Sequence, residues 1–252
     1  MAIFAGLSGL FSVLVGWSVT LRLFSLARRT RAVPEWLLAI AFGGLFCIGF
    51  PLTGASRVPA MVMTIEGALL YAIGTIGIVV GVGALARFPY VVFRAGKSWA
   101  RFLSVAIGLT GMAGGTGAAL VVAFAPNRES MIAGIQPWAI ALVTAVCASY
   151  CWNGFESMRY YAKMKRRMAL GLAHPETTHR FLLWSIASGT SVLMTLAIIA
   201  IRAAGLPIMA PLGASVIACS TFVTTFCWWL AFFMPDVYRR RVLGIAPEAD
   251  AA

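Results

Sequence analysis

Residues 160–184 read YYAKMKRRMALGLAHPETTHRFLLW. Two apolar runs flank them, about 137–158 before and 181–203 after. A run of ~20 mostly apolar residues is long enough to cross a bilayer. The stretch therefore reads as the turn between two membrane spans. Lys163, Lys165, Arg166 and Arg167 carry its charge. Tyr161, Met164 and Met168 share one face at helical spacing, so Tyr160 to about Leu170 should continue the preceding span as helix. Gly171 is the expected stop. Pro175 followed by Glu176 is ordinary helix-start chemistry: proline lacks the N–H that would go unpaired there, and the carboxylate meets the positive end of the helix dipole. The basic arm is expected to lie against anionic lipid of the inner leaflet, where each cation is worth ~1 kcal/mol.

The same stretch can be read as a metal motif, His174-Pro-Glu176-Thr-Thr-His179. Pro175 separates His174 from Glu176, so the HExxH spacing is not met. The helix start accounts for the same residues, and no metal site is expected.

Outside this turn the chain is equally apolar. Of its 252 residues, 61% are hydrophobic and 11% charged, with a mean hydropathy of +0.90. A soluble domain is nearer half apolar and a quarter charged. Seven runs reach spanning length, at about 4–24, 35–53, 62–86, 101–124, 137–158, 181–203 and 211–234. The fold class is thus all-α: a polytopic seven-transmembrane-helix bundle over residues 1–238, with a short tail over 239–252. The end of that tail, GIAPEADAA, is acidic and expected to be disordered. Any signal would then pass to a separate protein. The opening MAIFAGLSGLFSVLVGW has no basic n-region and reads as a retained first span rather than a cleaved leader.

Charge sets the expected orientation. Seventeen of the 20 Lys and Arg fall in the turns after spans 1, 3 and 5 and after span 7. Only Arg57, Arg128 and Arg202 fall on the other side. Basic loops stay in the cytoplasm, so the N-terminus is expected outside and the C-terminus inside an inner (plasma) membrane. The net charge of +12 is then a topology signal, and nucleic acid is not an expected partner. The five cysteines, Cys47, Cys147, Cys151, Cys219 and Cys227, all sit in apolar segments. They read as small buried hydrophobes, not as a disulfide framework.

Known intramembrane chemistries find few residues here. Covalent retinal needs a lysine in the last span, yet Lys97, Lys163 and Lys165 are all in loops. Bis-histidine haem needs facing histidines within the bundle, yet both histidines share one turn. No nucleophile elbow, phosphate loop or zinc-spaced cysteine pair is present. Neither a cofactor nor an enzymatic activity is expected. The pairs Gly77-xxx-Gly81 and Gly111-xxx-Gly115 read as close-packing positions between helices.

The candidate ligand-binding residues are Trp152, Asn153 and Glu156 near the end of span 5, Trp184 in span 6 and Trp228 in span 7. An ionisable side chain inside a span is costly and faces the bundle interior or reaches the interface. Glu156 and Asn153 would be the polar anchors of an aromatic cavity. The competing reading is pairing of Glu156 with Arg159 and an interfacial tryptophan belt. Glu66, about a turn inside span 3, is a second charged candidate, with Arg57, Arg128 or Arg202 as its partner.

A three-plus-one-plus-three repeat is also legible. Arg28-Arg29 before Pro34-Glu35 parallels Arg166-Arg167 before Pro175-Glu176. LARFPYVVFR (85–94) parallels LAFFMPDVYR (230–239). In layout alone this is similar to sugar-efflux transporters of the SWEET and PQ-loop type. The chain departs from them: it has no Pro-Gln pair, and its eleven prolines lie in loops, in the tail or within about a turn of a span end. The phrases VFRAGKSWAR (92–101) and RRMALGLAHPETTHRFLLW (166–184) resemble phrases of seven-span bacterial inner-membrane proteins, most of them uncharacterised. That resemblance implies no mechanism.

The leading expectation is a receptor-like or sensory membrane protein that signals through a separate cytoplasmic partner. The alternatives are a small-solute or lipid transporter and a structural subunit of a membrane complex.

Overall fold

The structure, a computed structural model, describes residues 2–207 and 210–244. Its helices are α1 (Ala2–Thr30), α2 (Val33–Phe42), a π-helical stretch (Gly43–Gly49), α3 (Phe50–Ala55), α4 (Ile65–Phe93), α5 (Ser98–Phe124), α6 (Arg128–Ala169), α7 (Pro175–Ala203), α8 (Pro211–Phe233) and α9 (Asp236–Leu243). Seven segments are long and apolar enough to cross a membrane, the second being Val33–Ala55, built from α2, the π stretch and α3. The all-α seven-span reading holds. Of the end expected to be disordered, 244–252, Gly244 caps α9 and residues 245–252 fall outside the described residues.

Local chemistry sets the helix ends. Arg28 and Arg29 stand in the last turn of α1, against the negative end of its dipole. Pro34 opens α2 and Pro211 opens α8, where a missing N–H costs nothing. Thr64 caps α4, its hydroxyl accepting from Gly67 N at 3.0 Å. The Asn127 side chain accepts from Ser130 N at 2.9 Å at the start of α6. Gly171 takes a φ of 70° and stops α6; Leu172 N donates to Arg167 O at 2.9 Å, closing a six-residue cap. His174 is extended and α7 begins at Pro175. These last two features match the reading of residues 160–184.

Several boundaries differ from expectation. The helices outrun the hydrophobic windows, because backbone hydrogen bonding continues past the apolar run. Pro89 and Pro137, expected within about a turn of span ends, consequently lie inside α4 and α6. Conversely, α4 begins only at Ile65, so Glu66 stands in its first turn and is exposed, not a turn inside a span. Among the described residues it forms no ion pair. Of the cysteines, Cys227 is buried, but Cys151 and Cys219 are exposed. They lie on apolar helix faces that a bilayer would cover, which hydropathy alone cannot tell from a core.

The chain divides into two compact units, Gly9–Trp152 and the remainder, with boundaries inside α1 and inside α6. In the first unit α4 packs on α2, the π stretch, α3 and α5. Glycines permit these approaches. A methyl added at Gly77 would meet Ile48 Cγ2 at 2.8 Å and Gly44 O at 2.9 Å, and one at Gly81 would meet Leu45 Cγ at 2.8 Å. A methyl at Gly44 would meet Gly77 O at 2.6 Å, and one at Gly49 would meet Ile78 Cγ1 at 2.6 Å. Gly44 and Gly49 are five residues apart, which in an α-helix would put them about 140° from each other. The wider π turn brings both onto α4. On α5, Gly114 and Gly117 admit Leu142 and Trp138 of α6, while Gly115 meets Val79 and Thr75 of α4. In the second unit α7 packs on α8 and α9.

The two paired stretches of the proposed repeat behave differently. Ala32 and His174 precede their prolines with nearly the same backbone, φ/ψ of −83°/136° and −76°/134°. Residues 85–93, however, are unbroken helix, whereas 230–239 break at Met234–Pro235 before α9 begins.

Candidate functional site

The second unit holds a layer of buried polar side chains. Asn153, Glu156 and Ser157 follow at steps of three and one along α6, share a face, and are 0, 5 and 1% exposed. Gly154 sets the height of this face against α7: a methyl there would meet Ser188 Cβ at 3.0 Å and Ser185 O at 3.8 Å. α8 is set at the same height, the Thr224 hydroxyl donating to Ala187 O at 3.4 Å. Ser185 and Ser188 of α7 and Thr224, Thr225 and Trp228 of α8 are all buried. A carboxyl, a carboxamide and several hydroxyls thus occupy one level of three apolar helices. The Thr225 hydroxyl has no hydrogen-bond partner among the described residues. A polar group buried without one costs ~1–3 kcal/mol. Membrane-embedded polar sets of this kind mark functional sites by default.

Of the predicted ligand-binding residues, Asn153, Glu156, Trp184 and Trp228 belong to this unit. Trp184 is half-buried and meets Phe232 edge-on at 5.8 Å. Trp152 belongs to the first unit, where its ring lies 6.2 Å from Trp99 of α5. Arg94 stands over Trp99 at 5.6 Å. Arg159, the expected partner of Glu156, is exposed and lies over the Phe155 ring at 5.5 Å. Lys163, Lys165, Arg166 and Arg167 are exposed along the end of α6.

A second cluster joins α7 to α9. His179 Nε2 and the Tyr238 hydroxyl are hydrogen-bonded at 2.6 Å, with ring centroids 5.5 Å apart. The Glu176 carboxylate binds Arg180 at 2.5 Å and Arg239 at 3.2 Å. Arg239 also reaches Asp236 at 3.4 Å. Burial pushes the His179 imidazole below its usual range and the Tyr238 hydroxyl above its own; both lie outside the apolar run that begins at Phe181.

The sequence reading named Glu156 and Asn153 but missed this clasp. Its partners are far apart in the chain, and no spacing rule links them. The serine and threonine content of α7 and α8 was visible; which of those hydroxyls share a level was not. Comparison with family models, with curated proteins and with solved structures finds no match to this chain.

Proposed function

We propose that the chain is a receptor-like, sensory integral membrane protein of an inner membrane. Its N-terminus lies outside and its C-terminus in the cytoplasm, and it acts through a separate cytoplasmic partner. One observation carries this reading: a single helix, α7, holds both Ser185 and Ser188 of the buried polar layer and Glu176 and His179 of the clasp on α9. A small polar ligand at the layer would load one end of a rigid rod whose other end holds α9. The test is hydrogen exchange of α9 in the reconstituted chain, screened against a panel of small solutes. At least one solute should change α9 protection, and Ser188→Ala should abolish the response. Absence of any response across a broad panel would sink the reading.

A transporter is the second reading, supported by the π stretch Gly43–Gly49. Such turns inside helices recur at functional hinges. Solute flux in proteoliposomes without change at α9, reduced by Glu156→Gln, would favour it.

A further inference from the structure

The end of α6 carries a rigid cationic face. The helix has 42 residues, about 63 Å at 1.5 Å per residue, roughly twice the ~30 Å hydrocarbon core. Its apolar run ends near Met158, and helix continues without a break to Ala169. At 100° per residue, Arg159, Lys163, Arg166 and Arg167 fall within an arc of about 100°. Tyr161, Met164 and Met168 take the opposite side, and Tyr160 leans on Phe181 of α7 with ring centroids 4.9 Å apart. Lys165 stands off the basic face. All four cations of that face are exposed. None is in an ion pair among the described residues, while the carboxylates of Glu176 and Asp236 are engaged by Arg180 and Arg239.

We infer that this face binds the anionic headgroups of phospholipids in the adjoining leaflet. The headgroup layer is about 5–8 Å deep on each side of the core. Lys163 stands about 7 Å beyond Met158 along the helix axis, and Arg166 and Arg167 about 12–13 Å. Side chains on a helix lean toward its N-terminus, and for α6 that direction is back toward the bilayer. Long basic side chains have the reach to bring their charges down to the phosphates. The arm therefore stands up through the headgroup layer with its charges turned down into it, and does not lie flat along the leaflet. The cap at Gly171 ends the helix just past the last of these cations.

The experiment reconstitutes the full chain in vesicles of phosphatidylcholine with phosphatidylglycerol in equal parts. Lipids retained on the purified protein are then counted by native mass spectrometry. The natural chain should retain phosphatidylglycerol preferentially, each cation contributing on the order of fivefold. Replacing Arg159, Lys163, Arg166 and Arg167 together by Gln should reduce that preference at least tenfold, with helicity unchanged by circular dichroism. Arg166→Gln and Arg167→Gln singly should give graded losses if the quadruple variant misfolds. Lys165→Gln, off the face, should change little. A preference that survives the four substitutions, or falls equally with Lys165→Gln, overturns the inference. So does displacement of the lipid by inorganic phosphate or by a soluble acidic peptide at comparable charge, which would make the face a site for soluble anions or for a protein.

Discussion

The Tyr238 hydroxyl lies 2.6 Å from His179 Nε2, across 59 residues of chain. With the Glu176–Arg239 pair it fastens α9 to the start of α7. Burial holds the His179 pKa below its ordinary 6.5. The unfolded or undocked state therefore binds more protons between the two values, and stability rises with pH through that window. Docking of α9 is expected to be full above about pH 6.5 and to weaken as pH falls through it. Hydrogen exchange of α9 against pH measures the effect. His179→Gln should flatten the profile, while Tyr238→Phe should weaken protection at every pH by about 0.5–1.5 kcal/mol, the net worth of one hydrogen bond.

Gly77 and Gly83 sit six residues apart on α4 and should respond in opposite ways. A methyl at Gly77 collides with Ile48 and Gly44, while one at Gly83 meets nothing within 4 Å. Gly77→Ala should destabilise the first unit by about 1–3 kcal/mol, the usual cost of overpacking. Gly83→Ala should be neutral or stabilising by up to about 1 kcal/mol through helix propensity. Thermal melts in detergent distinguish them.

Thr225→Val separates structure from function in the polar layer. The hydroxyl is 1% exposed and lacks a partner among the described residues. Its removal should leave stability unchanged or raise it by about 1 kcal/mol. Loss of a solute response in a variant that melts no lower would assign the hydroxyl to a ligand.

Gly171→Ala places a side chain at a φ of 70°. The left-handed region costs an L-residue about 1–2 kcal/mol. Amides of residues 165–172 are expected to exchange faster, with the rest of the bundle unaffected.

The seven spans and the turn at 160–184 were legible because each rests on local chemistry: apolar length, a glycine stop, a proline start. Helix packing by glycine was legible in kind but only partly in place. Gly77, Gly81 and Gly115 make tight approaches, whereas Gly111 is in ordinary contact and Gly114 and Gly117 take the close positions against α6. Which face a glycine presents depends on the neighbour, and one sequence does not show the neighbour. Glu66 was misplaced because hydropathy windows ignore capping, and Thr64 decides where α4 begins. The clasp was invisible because His179 and Tyr238 meet only after folding. The polar layer was half visible: Asn153 and Glu156 are unusual residues for a span, but Thr225 joins them only through the heights set by Gly154 and Thr224.

The π stretch also bears on how much length the second span can lose. Elsewhere in a helix, removing one residue rotates everything beyond it by about 100° and tears the packed face from its neighbour. Between Gly44 and Gly49 the same deletion would leave the two glycines four apart, which is the spacing that shares a face in ordinary α-helix. The seam on α4 would survive. The extra residue is thus a surplus that folding does not require, and a shortened chain that folds but no longer responds would locate a working part of the protein in that turn.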